Sequence, residues 1–173
     1  MAGFLTIDIA GIETVQAKVR QFATWGRNIG TLEPVMEQIG LDILADNAMQ
    51  FLTEGDYYRA SMVAMMVAPK WEPLAASTVR QRERLGYEGA HPILWRRGDL
   101  ANSLSSRDAP GNVFETTATG LRVGTNWPTA SYHEYGTRTM PPRPLVGLTR
   151  ERSQAMVRVV GDYVREQARV AGL

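Results

Sequence analysis

His133 and Glu134 stand side by side in the segment SYHEYGTRTMPPRPLVG, Ser131 to Gly147, and an imidazole beside a carboxylate could serve acid–base or metal chemistry. A zinc peptidase helix needs two histidines one turn apart, so that both rings face one ion, but position 137 is Thr. The remaining histidine, His91, lies far earlier in the chain. Hydrolysis through a Ser or Thr nucleophile with His133 as base stays open as an alternative, although no Gly-x-Ser-x-Gly elbow is there to expose a hydroxyl. Neither a Gly-x-Gly-x-x-Gly nor a Gly-Lys-Ser/Thr phosphate loop occurs. The absence of cysteine removes disulfides, thiolate metal sites and cysteine nucleophiles. The expectation is therefore no catalytic residue, no metal and no cofactor.

The densest basic region comprises Arg80, Arg82, Arg84, Arg96 and Arg97, with Glu83 and Glu88 interspersed. It fits a solvated helix face, a contact with an acidic protein partner, or phosphate contacts. Nineteen Lys and Arg against eighteen Asp and Glu leave a net charge of +1, which offers a polyanion no general attraction, so direct DNA binding is not expected. Met62, Met65 and Met66 lie in a second notable stretch, the apolar run Ser61 to Val67. Their flexible side chains suit an adaptable contact with a neighbouring molecule, the alternative being a buried strand or helical turn.

The elements around these residues follow from periodicity. With 44% apolar and 21% charged residues in 173, one domain spanning 1–173 with a packed core is expected. Apolar Leu5, Ile7 and Ile9 alternate with Thr6 and Asp8 as in a half-buried strand. Ile12, Val15, Val19, Phe22 and Trp25 then share a helical face, and a second amphipathic helix, announced by Thr31 and tolerating Pro34 in its first turn, runs to about Phe51. Residues 52–70 read as an extended arm, with Gly55-Asp56-Tyr57-Tyr58 as a loop. A charged helix begins at Ser77-Thr78 and closes at Gly86, and Asp99 reads as the cap of a short helix through Leu104. Val113–Thr117 and Leu121–Thr125 form a hairpin around Thr119-Gly120, and Thr149 starts a long C-terminal helix carrying Met156, Val160, Tyr163 and Val164 on one face. The fold class is α+β: a small, mostly antiparallel sheet packed by amphipathic helices. No signal peptide and no membrane span are expected, since no run of about 18 apolar residues occurs.

In the Ser131–Gly147 segment, Pro141, Pro142 and Pro144 fix φ and remove backbone donors, which makes a stiff extended strap. Gly136 permits a turn with positive φ before it, and Tyr132 and Tyr135 are expected to anchor that turn in the core. On physical grounds the segment is a joint.

Three blocks, in order, resemble the virion morphogenesis, or tail-completion, proteins of long-tailed bacteriophages. They are Trp71-Glu72-Pro73-Leu74 with Thr78 and Arg82; Ile93-Leu94 with Gly98-Asp99-Leu100 and Ser103; and His133-Glu134-Tyr135-Gly136 leading into Met140-Pro141-Pro142-Arg143-Pro144-Leu145-Val146-Gly147. The chain departs from the family pattern at Lys70 and the methionine run, where a short Asp/Pro/Gly turn is usual, and at Arg97, where a small hydroxyl residue commonly stands. The resemblance implies a structural subunit, repeated as a ring with sixfold symmetry, that completes the tail end. Its partners would be other copies of itself, the tail tube protein and the head–tail connector proteins, with no membrane. It would act at the head–tail junction of the virion, after assembly in the bacterial host cytoplasm. A related head-closure or minor tail component is the nearest alternative, and a nucleic-acid-binding module or a hydrolase are the remote ones. Assembly contacts or structural roles are expected of Met62, Met65, Met66, Trp71, Arg80, Arg84, Tyr135, Gly136, Pro141, Pro142, Arg143 and Pro144.

Overall fold

The computed structural model describes residues 5–7, 31–61 and 70–170. The expected first helix around Ile12 to Trp25 and the methionine run from Met62 lie outside the described residues.

Helix α1, Glu33–Leu52, is the axis of the protein. The Thr31 hydroxyl accepts from the Glu33 N–H at 3.1 Å and Pro34 sits in the first turn, as the sequence signal requires. Its apolar residues divide between two cores. Val35, Met36, Ile39, Ile43 and Leu44 pack with Leu121 and Val123 of the sheet and with Met156, Val160 and Val164 of the C-terminal helix. Phe51, one end of α1, joins Trp71, Ile93, Leu104, Ala130 and Leu145 in the second core.

The sheet has three antiparallel strands in the order β1 (Leu5–Ile7), β3 (Gly120–Thr125), β2 (Asn112–Thr117). Its hairpin turns at Ala118-Thr119, one residue before the pair expected, so that Thr117 faces Gly120 and Asn112 faces Thr125. Leu5 to Ile7 pair with Thr125 to Val123 on the other side of β3. The α+β class thus holds, as does the long C-terminal helix, α6, Arg150–Val170. Thr149 opens it by accepting from the Arg152 N–H at 3.0 Å.

Three local expectations are overturned. The stretch expected as a loop at Asp56-Tyr57-Tyr58 is helix α2, Asp56–Ser61, nucleated where the Thr53 hydroxyl accepts from the Tyr57 N–H at 2.9 Å. Asp99 is the first residue of helix α4, Asp99–Ser105, rather than its cap; Gly98, at φ 83°, occupies that position, and the Asp99 carboxylate is held by Arg97 instead. The residues before Gly136 form another short helix, α5, Thr129–Tyr135, which points Tyr132 and Tyr135 outward at 56% and 75% exposure. Those tyrosines do not anchor the turn; buried Ala130 does. The charged helix α3, Ala76–Arg84, starts slightly ahead of the expected Ser77.

Candidate functional site

The prolines of the strap leave few backbone donors, so other residues must fasten it, and they come from the first and third sequence blocks and from helix α1. The Pro144 carbonyl accepts two hydrogen bonds, from the indole Nε1 of Trp71 at 2.9 Å and from the side-chain amide of Gln50 at 2.8 Å. Arg143, buried, turns back to the first block: its Nε and Nη2 donate to the Glu72 carbonyl at 3.1 and 2.9 Å, and Nη2 reaches the Pro73 carbonyl at 3.2 Å. Its backbone N–H donates to the His133 carbonyl at 2.6 Å. The Glu134 carboxylate accepts from the Leu145 N–H at 2.7 Å. Between the two, Gly136 adopts φ 72°; a Cβ there would lie 2.8 Å from the Met140 carbonyl oxygen and the Pro142 nitrogen. Only glycine fits so close an approach.

The second block supplies the wall. Phe51 packs edge-to-face on both Trp71 and Trp95, with ring centroids 5.4 and 6.4 Å apart. The Glu54 carboxylate, on a residue at φ 49°, accepts from the Ile93 N–H at 3.0 Å and pairs with His91 at 2.8 Å. Asn47 donates to the Leu104 carbonyl at 2.9 Å and accepts from the buried Tyr58 hydroxyl.

Between α3, the 94–100 segment and the strap lies a cleft of about 800 Å³. Leu74, Leu94, Trp95, Leu100, Met140 and Pro141 give it an apolar lining; Arg82, Arg96, Arg97, Arg143, Glu72, Asp99 and His133 add polar groups. Burial and then the Arg143 guanidinium hold the His133 pKa below the ordinary imidazole value, which favours the neutral ring. Burial raises the Glu134 pKa, and the N–H groups of Leu145 and Val146 oppose that rise. His133 and Glu134 are thus neighbours with different surroundings: one faces the cleft, the other fastens the strap. Among the described residues no three His, Asp or Glu side chains group as metal ligands.

The structure therefore brings together Trp71, Gly136, Pro142, Arg143 and Pro144 in one joint, with Pro141 in the cleft wall beside it. It divides the basic cluster: Arg82, Arg96 and Arg97 line the cleft, with Arg82 buried and donating to the Pro92 carbonyl at 3.1 Å and Arg96 5.5 Å from the Tyr87 ring centroid, while Arg80 and Arg84 stay exposed on α3. Met62, Met65 and Met66 lie outside the described residues. Sequence reasoning missed Gln50, Glu54 and Asn47, polar residues on or just after an apolar helix whose only signal was their polarity at positions facing the core.

The family model for phage virion morphogenesis matches residues 59–165. The chain belongs to the phage virion morphogenesis family. The match covers all three blocks, and in this family member they meet at the strap joint and its cleft. Family membership assigns the chain a part in building the bacteriophage virion. No curated protein and no solved structure matches it.

Proposed function

We propose that this chain is a structural subunit that completes the end of the phage tail and joins it to the head connector, repeated as a ring. The observation that carries the reading is the joint itself. The first and third blocks bond to each other and the second packs against them, and the result is a braced platform with Tyr132 and Tyr135 facing outward. Exposed tyrosines on a rigid base are well suited to protein contacts, because they bury much area at little entropic cost. A ring requires that one patch of each copy meet a different patch of the next, and the outward face of α5 is suited to be one of them. The other partners in this reading are the tail tube protein and the connector proteins. The reading includes no reaction: Glu134 is committed to the Leu145 N–H, and the Nδ1 of His133 has no hydrogen-bond partner among the described residues.

Electron microscopy of lysates from a phage with this reading frame interrupted is the test. Full heads beside finished, unjoined tails are expected. Normal joined particles would overturn the reading, and an absence of tails would overturn it in favour of an earlier tail component.

A further inference from the structure

Arg82 and Arg143 are 6% and 3% exposed, and both line the cleft. Buried guanidinium groups are ordinarily neutralised by carboxylates, because an uncompensated charge in a low-dielectric site is costly. The fold does this elsewhere: Arg152 binds Asp46 and Asp42, each at 2.8 Å. In the cleft it does not. Arg143 bonds to the carbonyls of Glu72 and Pro73, and Arg82 to that of Pro92, all neutral acceptors. The Arg82 Nε has no partner among the described residues, and neither has the Nδ1 of His133 in the same cleft. Of the two carboxylates lining the cleft, Asp99 is taken by Arg97 at 2.8 Å, and Glu72 is exposed and acts on Arg143 only through space. Four arginines therefore face two acids across an apolar floor.

We propose that this cleft receives an extended segment of another virion protein, with apolar side chains and at least one carboxylate among them. The apolar lining of Leu94, Trp95 and Met140 takes the former, and the excess of guanidinium charge takes the latter. A nucleic acid would find too little positive charge and too much apolar surface here. The proposal rests on the role in virion assembly and not on the tail end being the place.

The test is photocrosslinking in assembled particles. A benzophenone side chain is placed at Leu85, a cleft residue that is 56% exposed, and the crosslinked peptides are sequenced. The expected product is a peptide of a different virion protein with Asp or Glu among apolar residues. In parallel, Leu85→Glu should lower the yield of infectious particles by about tenfold or more through charge repulsion, with the circular dichroism of the purified chain unchanged. Leu52→Glu, at a position 68% exposed and outside the cleft, should leave the yield within about twofold. A crosslink to a second copy of this chain or to DNA, no crosslink in particles that contain the chain, or an unchanged Leu85→Glu yield would each overturn the proposal. Any of these would leave the tail-end reading standing if interrupted phage still show unjoined heads and tails.

Discussion

Two donors converge on the Pro144 carbonyl, and that geometry sets a double-mutant cycle whose outcome is non-additive. Trp71→Phe removes the indole N–H, but the amide of Gln50 remains at 2.8 Å, so the hydrogen-bond part of the cost is about 0.5–1.5 kcal/mol, with a packing term for the lost ring volume. Gln50→Leu removes the other donor and also deprives the Tyr58 N–H of its acceptor at 3.0 Å, adding about 1–3 kcal/mol. In the double variant the carbonyl loses both partners in a partly buried site. The packing and Tyr58 terms recur in the single variants and cancel in the cycle. What remains is the orphaned carbonyl, and the double variant should be less stable than the sum of the singles by about 1 kcal/mol. Urea unfolding of the four proteins, compared at equal slope, reads this directly. Additivity within about 0.3 kcal/mol would refute the idea that these two side chains jointly hold the strap.

Three further outcomes follow from the same geometry. Glu134→Ala should cost about 1–3 kcal/mol by orphaning the Leu145 N–H, and Glu134→Gln, which keeps a carbonyl acceptor, should recover most of it in the same unfolding assay. Gly136→Ala should destabilise by more than about 2 kcal/mol, since positive φ and two backbone contacts at 2.8 Å act together; a thermal midpoint like that of the parent would contradict the close approach. Tyr57 is pushed up to about 12, first by burial and then by donating to Asp46 at 2.7 Å. The fold thus holds the neutral phenol, so this contribution is present below the ordinary tyrosine value of about 10 and is lost as pH rises from there towards about 12. Tyr57→Phe should flatten that alkaline loss, measured by urea midpoints across the window, and an unchanged slope would remove Tyr57 from the account.

Much of the frame was legible in local pattern. The apolar spacing of α1, the Thr31 and Thr149 starts and the Thr-rich hairpin each declare themselves within a few residues. The three blocks were legible as markers, but their meaning was not, because it lies in contacts between residues about 70 or more positions apart in sequence, such as Arg143 with Glu72 and Trp71 with Pro144. Tyr132 and Tyr135 misled because an aromatic residue beside a turn is more often buried, whereas here the short helix α5 spends Ala130 on the core. Asp99 misled because the positive φ of Gly98 takes the capping position, and Arg97 takes the carboxylate. The basic cluster looked uniform in sequence. Burial divided it, leaving Arg82 inside and Arg84 outside.

The fastening of the strap also has a consequence in time. Gln50 meets its acceptor 94 residues later in the chain, and Trp71 meets the same atom 73 residues later. At a synthesis rate of about 5–20 residues per second, the ribosome takes roughly 5 to 20 s to deliver Pro144 after Gln50. During that interval Phe51 and Trp71, among the most deeply buried side chains of the finished protein, have no strap to close over them. The second core is therefore a late event in the life of each molecule, and the nascent chain exposes Phe51 and Trp71 to the cell before it presents any surface to the virion.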